Sequence, residues 1–540
     1  MPMQSVGKKS AKLSSTFKQK KHVVDKKKIF PYVKSSAKEL NSFLALGGLL
    51  VVFAIVLLFL QGENNWVWLI GIVGVVIAFN AFWLRFDFST PFAWKYVITM
   101  LKTKHFINFI KSIAHHAKWF EKVCLGGMFL GFGIVGIDYW WGRKIGGWKR
   151  AGILFVSVLV LGFFYQYFLG VLFSVPILAP LYWPCLFGFI FLGFGGFSLA
   201  LLLGYGVLSV ESIFTAKHLC PAVAPVIPGA SIPGLGVAIP LIGWVSLVIV
   251  LVVHEFSHGI MMFYYKVKIK SVGVLLAGII PLGAFVEQDD KTFNELDDKK
   301  SLMVLSAGSA SNLLTIGVAW VIMLIFVFAM APISTTVNSE YAKALGSVQI
   351  SSVGDTVSYC GITVPAPAKG VLLAGDKILS VNGTDVNNIT GLSWLVSNSP
   401  GDLNFIVERK NPDTNIKSDL NITVSPYLFA DLGIKRIGVV FESVPTGYEL
   451  KPEIVAAQVI ISNISMILLL LVIISFAAGS FNYFPADPFD GGRMAKIMLV
   501  PYFSFMGLKK KETQKFIGRL FIWLLVASLV LNLIPYITML

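Results

Sequence analysis

Long uncharged apolar stretches alternate with short basic ones along most of this chain. Apolar runs at residues 42–61 and 65–84 are each long enough to cross a hydrocarbon core of ~30 Å as a helix. Residues 123–214 are apolar almost throughout and rich in Gly, Phe and Trp, interrupted by Arg143, Lys144, Lys149 and Arg150. That pattern predicts two to four passes, with room for one re-entrant segment. Gly and Pro between 220 and 240 mark a loop, and further apolar runs follow at 237–265, 301–331, 454–484 and 516–538. Residues 332–453 break the pattern. They carry ordinary charge, turn signals and short alternating strands such as DKILSVNG, LNFIVERK and SDLNITVS. Such a stretch between two spans predicts one soluble domain inserted into a membrane protein. The expected fold is a polytopic α-helical membrane protein with an inserted small β-rich domain.

Composition narrows the class. Hydrophobic residues make up 56% of the chain and charged residues 14%, with a mean hydropathy of +0.75. Soluble domains carry roughly a quarter charged residues, so several soluble domains are excluded. Disorder, which needs low hydrophobicity and high charge, is excluded too. The net charge of +16 admits a nucleic-acid or a membrane-surface reading. The apolar runs favour the membrane, and no nucleic-acid partner is expected. Residues 1–41 hold eleven Lys against Asp25 and Glu39 with no apolar core, which reads as a cytoplasmic tail rather than a signal peptide. Residues 85–122 are basic and contain His105, His115 and His116; adjacent histidines cannot share a helix face, so a membrane-surface helix is expected there. Cys124, Cys185 and Cys220 lie in or beside apolar runs and no CxxC pair occurs, so no disulfide framework is expected.

Charge also orients the chain. Positive-inside counting places the tail, 85–122 and 493–519 in the cytoplasm, and the 332–453 insert, with nine basic and twelve acidic residues, outside. Segment 237–265 must then run from outside to inside, which requires an odd number of passes in 123–236. The sequons at Asn382, Asn388 and Asn421 are compatible with an outer domain.

The sharpest chemical signal is His254-Glu255-Phe256-Ser257-His258. On a helix the two histidines lie one turn apart on one face and can converge on one Zn²⁺. Glu255 can reach a metal-bound water as general base. Leu241 to Val253 contains no charge, so this cluster ends an apolar helix, where polar groups are costly and mark function. The blander reading is two histidines hydrogen-bonded to backbone carbonyls in a helix bundle. Catalytic zinc needs a third protein ligand and an open position. A second anomaly, Asn482 through Gly492, breaks the helix at the end of run 454–481 with Pro485, Pro488 and Gly491–Gly492. Asp490 there is suited to ligation, and Asp487 is its rival.

HEFSH in an apolar helix, followed by Asn482 and Asp490 ahead of two glycines, resembles the site-2 protease family of intramembrane zinc metalloproteases. The resemblance implies His254, His258 and Asp490 as zinc ligands, Glu255 as base, and Asn482 as an aid to substrate orientation or the oxyanion. Pro281 to Val286 resembles the family's short hairpin or loop beside the site, and Ala307 to Asn312 its AGPxxN element, with Ser309 in place of proline. Gly283, Phe285 and Asn312 are expected to contact substrate on that basis. Gly370 to Gly383 is similar to a PDZ core, which implies a peptide ligand added to a sheet edge; Ser352–Gly361 is the expected carboxylate-binding loop.

The expected organisation is a basic tail (1–41), an N-terminal transmembrane region (42–236), a catalytic core in two parts (237–331 and 454–500) around the PDZ-like insert (332–453), and a C-terminal basic loop and helix (501–540). The expected function is zinc endopeptidase action on membrane-protein substrates in the lipid bilayer. The rival is a transporter whose intramembrane His and Asp bind a travelling cation.

Overall fold

The computed structural model describes residues 44–53, 73–78, 99–104, 106–115, 117–215, 219–220, 223, 228–229, 231–232, 237–277, 280–360, 362–386, 388–410, 414–430 and 433–538. The tail 1–41, most of the apolar runs 42–61 and 65–84, His105 and His116 lie outside them. The chain divides into two compact units, Met1–Lys102 with Gly273–Gly283, and Thr103–Val272 with Ala284–Leu540.

Among the described residues, seven helical segments are long and apolar enough to cross a membrane: Lys118–Ile145, Gly147–Ser174, Pro176–Thr215, Gly243–Tyr264, Asp298–Ala344, Pro452–Phe481 and Lys510–Ile537. In hydrocarbon every backbone polar group must be satisfied within the segment, which is why these runs are helical despite many β-branched residues. The principal helices among the described residues are α1 (Lys118–Ile137), α2 (Gly147–Phe164), α3 (Tyr182–Thr215), α4 (Gly243–Tyr264), α5 (Asp298–Ala344), α6 (Ile389–Asn398), α7 (Pro452–Phe481), α8 (Asp490–Met498) and α9 (Lys510–Leu531). Of the surface helix expected over 85–122, the described residues show a strand, Thr99–Thr103, and a short amphipathic helix, Ile107–Ala114, which buries Ile110 and Ala114 and exposes Phe109 and Ile113.

Two of these segments are folded back on themselves. Gly133 in α1 and Gly193 in α3 take φ of +51° and +54°, conformations open to glycine but not to the neighbouring side chains. The Phe129 and Trp141 rings lie 4.9 Å apart, whereas twelve residues of straight helix would separate them by about 18 Å. Likewise a Cβ on Gly204 would lie 2.6 Å from Leu181. Each reversal returns the chain toward the side it came from, so neither segment counts as one simple pass. The two bends nest, with Gly193 set against the Leu130 carbonyl and Gly133 against that of Ile190.

The nested hairpins form a notch. Gly127 and Gly131 of α1 lie under the ring of Tyr483, which is fully buried. A Cβ on Gly131 would fall on the ring atoms themselves. The glycine richness of 123–214 thus serves the segment that carries Asp490. Gly131→Ala is expected to destabilise the protein by about 1–3 kcal/mol, the usual cost of overpacking, read as a lowered Tm in detergent. An unchanged Tm would mean the notch has slack that the geometry denies it.

Helix α5 packs along α1, α4 and α7. Its 47 residues are about 70 Å long, more than twice a ~30 Å hydrocarbon core. It continues through Pro332 to Ala344, so the strand-rich part begins at Leu345. That part contains β3 (Leu345–Val353), β4 (Thr356–Tyr359), β5 (Ile362–Pro365), β6 (Lys377–Val381), β7 (Leu403–Lys410), β8 (Lys417–Val424) and β9 (Val439–Pro445). The main sheet runs antiparallel in the order β8-β7-β6-β3-β9. Leu403, Phe405 and Val407 point to the core while Asn404 and Ile406 point away, the two-residue period of a strand with one buried face. Chain entrance and exit are stitched together: Thr446 donates its N–H to the Ala344 carbonyl at 3.0 Å and its hydroxyl to that of Lys343 at 2.6 Å. A disulfide, unexpected from the sequence, joins Cys360 in the β4–β5 turn to Cys220 in the loop ahead of α4. Cys124 and Cys185 are buried free thiols.

Candidate metal centre

The site is assembled from three helices and a hairpin. Helix α4 supplies His254 and His258, both buried and one turn apart. Helix α8 supplies Asp490 as its first residue, a position where the helix dipole favours a carboxylate. The chain reaches Asp490 by closing a tight loop after α7. Asn482 caps that helix, and its carbonyl accepts from the Gly491 N–H at 2.7 Å. Gly491 and Gly492 lie against the backbone of Tyr483 and Ala486 with no room for a Cβ, which accounts for two glycines after the aspartate.

The three side chains converge. His254 Nε2 and His258 Nε2 are 3.2 Å apart, and Asp490 Oδ2 lies 3.3 Å from the first and 3.0 Å from the second. A tetrahedral ion bound at about 2.0–2.2 Å holds its ligand atoms about 3.3–3.6 Å apart, close to these separations. Among the described residues this is the one group of His, Cys, Asp or Glu whose ligand atoms gather tightly enough for a metal, within 4.8 Å of one another. The donor set, two imidazoles and a carboxylate, fits a zinc ion with a fourth position left for water.

Helix α5 forms the back wall. His258 Nδ1 donates to the Val304 carbonyl at 2.8 Å, and Asn312 Nδ2 lies 3.0 Å from His254 Nδ1. Between them Gly308 faces both rings so closely that a Cβ there would fall on Nε2 of each. Val304, Gly308 and Asn312 are four residues apart in sequence, hence on one helix face.

Glu255, the residue after the first histidine, is held from another direction. A hairpin of β1 (Ile269–Ala277) and β2 (Ile280–Gln288) follows α4, and the Val286 N–H donates to Glu255 Oε2 at 3.0 Å. The carboxylate is thereby aimed by backbone. Of the expected substrate contacts, Phe285 directly precedes Val286 on this strand and Gly283 lies three residues before it. Asn312 is fully buried and meets His254 on the ring nitrogen opposite the one turned to Asp490. Asn482 is half-buried at the end of α7, beside the loop that carries Asp490. Asp487, the rival ligand, is taken by Lys496, whose Nζ lies 2.6 and 2.9 Å from its two oxygens. Sequence reasoning missed the Val304 carbonyl, Gly308 and Lys496. Only Gly308 left a trace, as part of the small-residue run Ala307–Ser311 in an otherwise bulky helix.

The sequence profile of peptidase family M50 matches residues 242–537, more than half of the chain and all three converging groups. An uncharacterized protein of Methanocaldococcus jannaschii is 32% identical over 155 residues, covering 28% of this chain and 35% of that one. A membrane-bound transcription factor site-2 protease homolog of Arabidopsis thaliana is 26% identical over 226 residues, covering 42% of this chain and 38% of that one. The chain thus spans little more than a third of the length of these relatives.

Proposed function

Because the chain belongs to peptidase family M50, we propose that it is a zinc endopeptidase that hydrolyses peptide bonds in or beside a transmembrane segment of another membrane protein. The observation that carries this reading is the convergence of His254, His258 and Asp490 at 3.0–3.3 Å inside a helical membrane protein, with Glu255 next to the first ligand. When bound there, zinc supplies a Lewis acid that polarises a scissile carbonyl and acidifies water. Glu255 takes the proton of the attacking water and delivers it to the leaving amine. The Val286 N–H keeps that carboxylate pointed at the site through both transfers. Substrate must unwind to expose its scissile bond, since a helical peptide bond is already hydrogen-bonded and covered. Phe285, next to Val286 on β2, offers an extended chain a contact alongside Glu255, with Asn482 orienting the carbonyl. The test is co-expression with a tagged single-span membrane protein, comparing wild type with Glu255→Gln. Equal cleavage by both would sink the reading.

The strand-rich insert is read as a PDZ-like peptide-binding domain. A cavity of about 400 Å³ lies between α6 and strand β9, lined by Ser393, Val396, Ser397, Arg436 and Val440. Strand β9 is an edge of the sheet, so an extended peptide can be added there. Of the expected carboxylate-binding loop, Ser352, Gly354, Thr356, Val357 and Ser358 contribute to the same wall, from the end of β3 and from β4 rather than from a loop.

The insert is further proposed to face the outside. The Cys220–Cys360 bond supports this, since disulfides persist in oxidising compartments, and so does the acidic balance of 332–453 against the basic flanks. On intact cells a membrane-impermeant maleimide is expected to label a cysteine introduced as Ser418→Cys, at an exposed position of β8. Labelling that needs permeabilised cells would place the insert inside.

A further inference from the structure

We infer that Asn312 is a positioning residue for the metal site: its side-chain amide fixes the ring of His254 from behind, as the Val304 carbonyl fixes that of His258. The inference rests on the zinc reading above and extends it to α5, which supplies no ligand. Three observations carry it. The amide is 3.0 Å from His254 Nδ1, so it addresses the nitrogen left over when Nε2 is turned to Asp490. Asn312 is fully buried among apolar helices, and its Oδ1 has no hydrogen-bond partner among the described residues. Leaving a buried acceptor unpaired is costly, so the residue is kept for something other than packing. Finally, Gly308 brings the α5 backbone close enough for Asn312 and Val304 to reach the two rings at all.

The chemistry explains why an amide stands here. A neutral imidazole that gives Nε2 to a metal carries its proton on Nδ1 and must donate from it. An imidazole with its proton on Nε2 must accept at Nδ1 instead. Asn312 serves both with little change of shape, presenting Oδ1 to the first form and Nδ2 to the second by turning the amide over. The unpartnered Oδ1 is the end held ready for the first form. His258 has no such choice, because the Val304 carbonyl only accepts and holds its proton on Nδ1. The two rings are therefore set differently: His258 is locked in the metal-binding tautomer, and His254 is brought to it by Asn312. Groups of this kind orient metal-binding histidines and raise their basicity, and losing one typically weakens metal binding 10- to 100-fold.

The test measures zinc affinity of the full-length protein in detergent by competition with a chromogenic chelator, together with the visible spectrum of the Co²⁺-substituted protein. Asn312→Leu keeps the size and removes both polar ends; its zinc affinity is expected to fall 10- to 100-fold, with an altered cobalt band. Asn312→Asp keeps the acceptor and is expected to bind zinc at least as tightly as wild type, again with a shifted band. Ser309→Ala, on the same helix and without a partner at its hydroxyl among the described residues, is expected to leave both readings unchanged. Wild-type affinity and spectrum in Asn312→Leu, with a raised KM, would overturn the proposal and make Asn312 a substrate contact. Should the leucine variant not fold, an aspartate variant that binds zinc more weakly with an unshifted band overturns it equally. A wild-type protein that binds no zinc would instead remove the underlying reading.

Discussion

Replacement of Glu255 by Gln is expected to lower the rate of substrate cleavage by about 10³-fold while leaving one zinc per chain in place. The magnitude follows from the 10²–10⁴-fold that a positioned acid–base group contributes. The separation of effects follows from geometry. His254, His258 and Asp490 hold one another at 3.0–3.3 Å without help from Glu255, which accepts from the Val286 N–H. Glutamine preserves the size of the side chain and can still receive that N–H, so folding is not the variable. Metal analysis of the purified variant, run beside cleavage of a tagged membrane substrate, distinguishes the cases. Loss of zinc along with activity would make Glu255 a ligand rather than a base.

Asp490→Ala is expected to abolish zinc retention, weakening binding by more than about 100-fold, since losing a ligand exceeds the 10- to 100-fold cost of losing a group that merely supports one. Asp487→Ala, three residues earlier in the same loop, is expected to leave zinc content unchanged. Asp487 is paired with Lys496, and its side chain is 40% exposed. Such half-exposed pairs contribute about 0–1 kcal/mol, so the variant should lose little stability. Zinc lost from Asp487→Ala and kept by Asp490→Ala would reverse the assignment.

These two aspartates mark the limit of what the sequence discloses. His254, Glu255 and His258 are readable because helix periodicity alone puts both histidines on one face, and an apolar helix makes the cluster costly enough to notice. Asp487 and Asp490 share a broken loop, and only the glycines that follow Asp490 favour it locally; the other side of the choice, Lys496 reaching back from the last turn of α8 to Asp487, is a contact the sequence does not disclose. The notch for Tyr483 was legible only as unexplained glycine in 123–214, because Gly131 and Tyr483 are some 350 positions apart. The reversals at Gly133 and Gly193 are hidden for a different reason. Glycine recurs throughout both segments, and composition does not say which one turns the chain. The β-rich insert was plain from its charge and alternation, yet α5 runs past the expected boundary because residues 332–344 remain good helix despite Pro332.

The attachment of the insert has a mechanical consequence. Its two chain connections are bound to each other at Ala344 and Thr446, so together they act as a single ball joint rather than as two supports. A body held at one joint can swing in every direction. The Cys220–Cys360 bond is a second anchorage, a covalent one, and it takes away most of that freedom. Cys360 lies in the β4–β5 turn, whose first strand lines the cavity beside β9. Cys220 lies in the segment leading into α4 and its two histidines. A ligand seated in that cavity therefore lies one strand away from a covalent link to the segment that precedes the metal-binding helix.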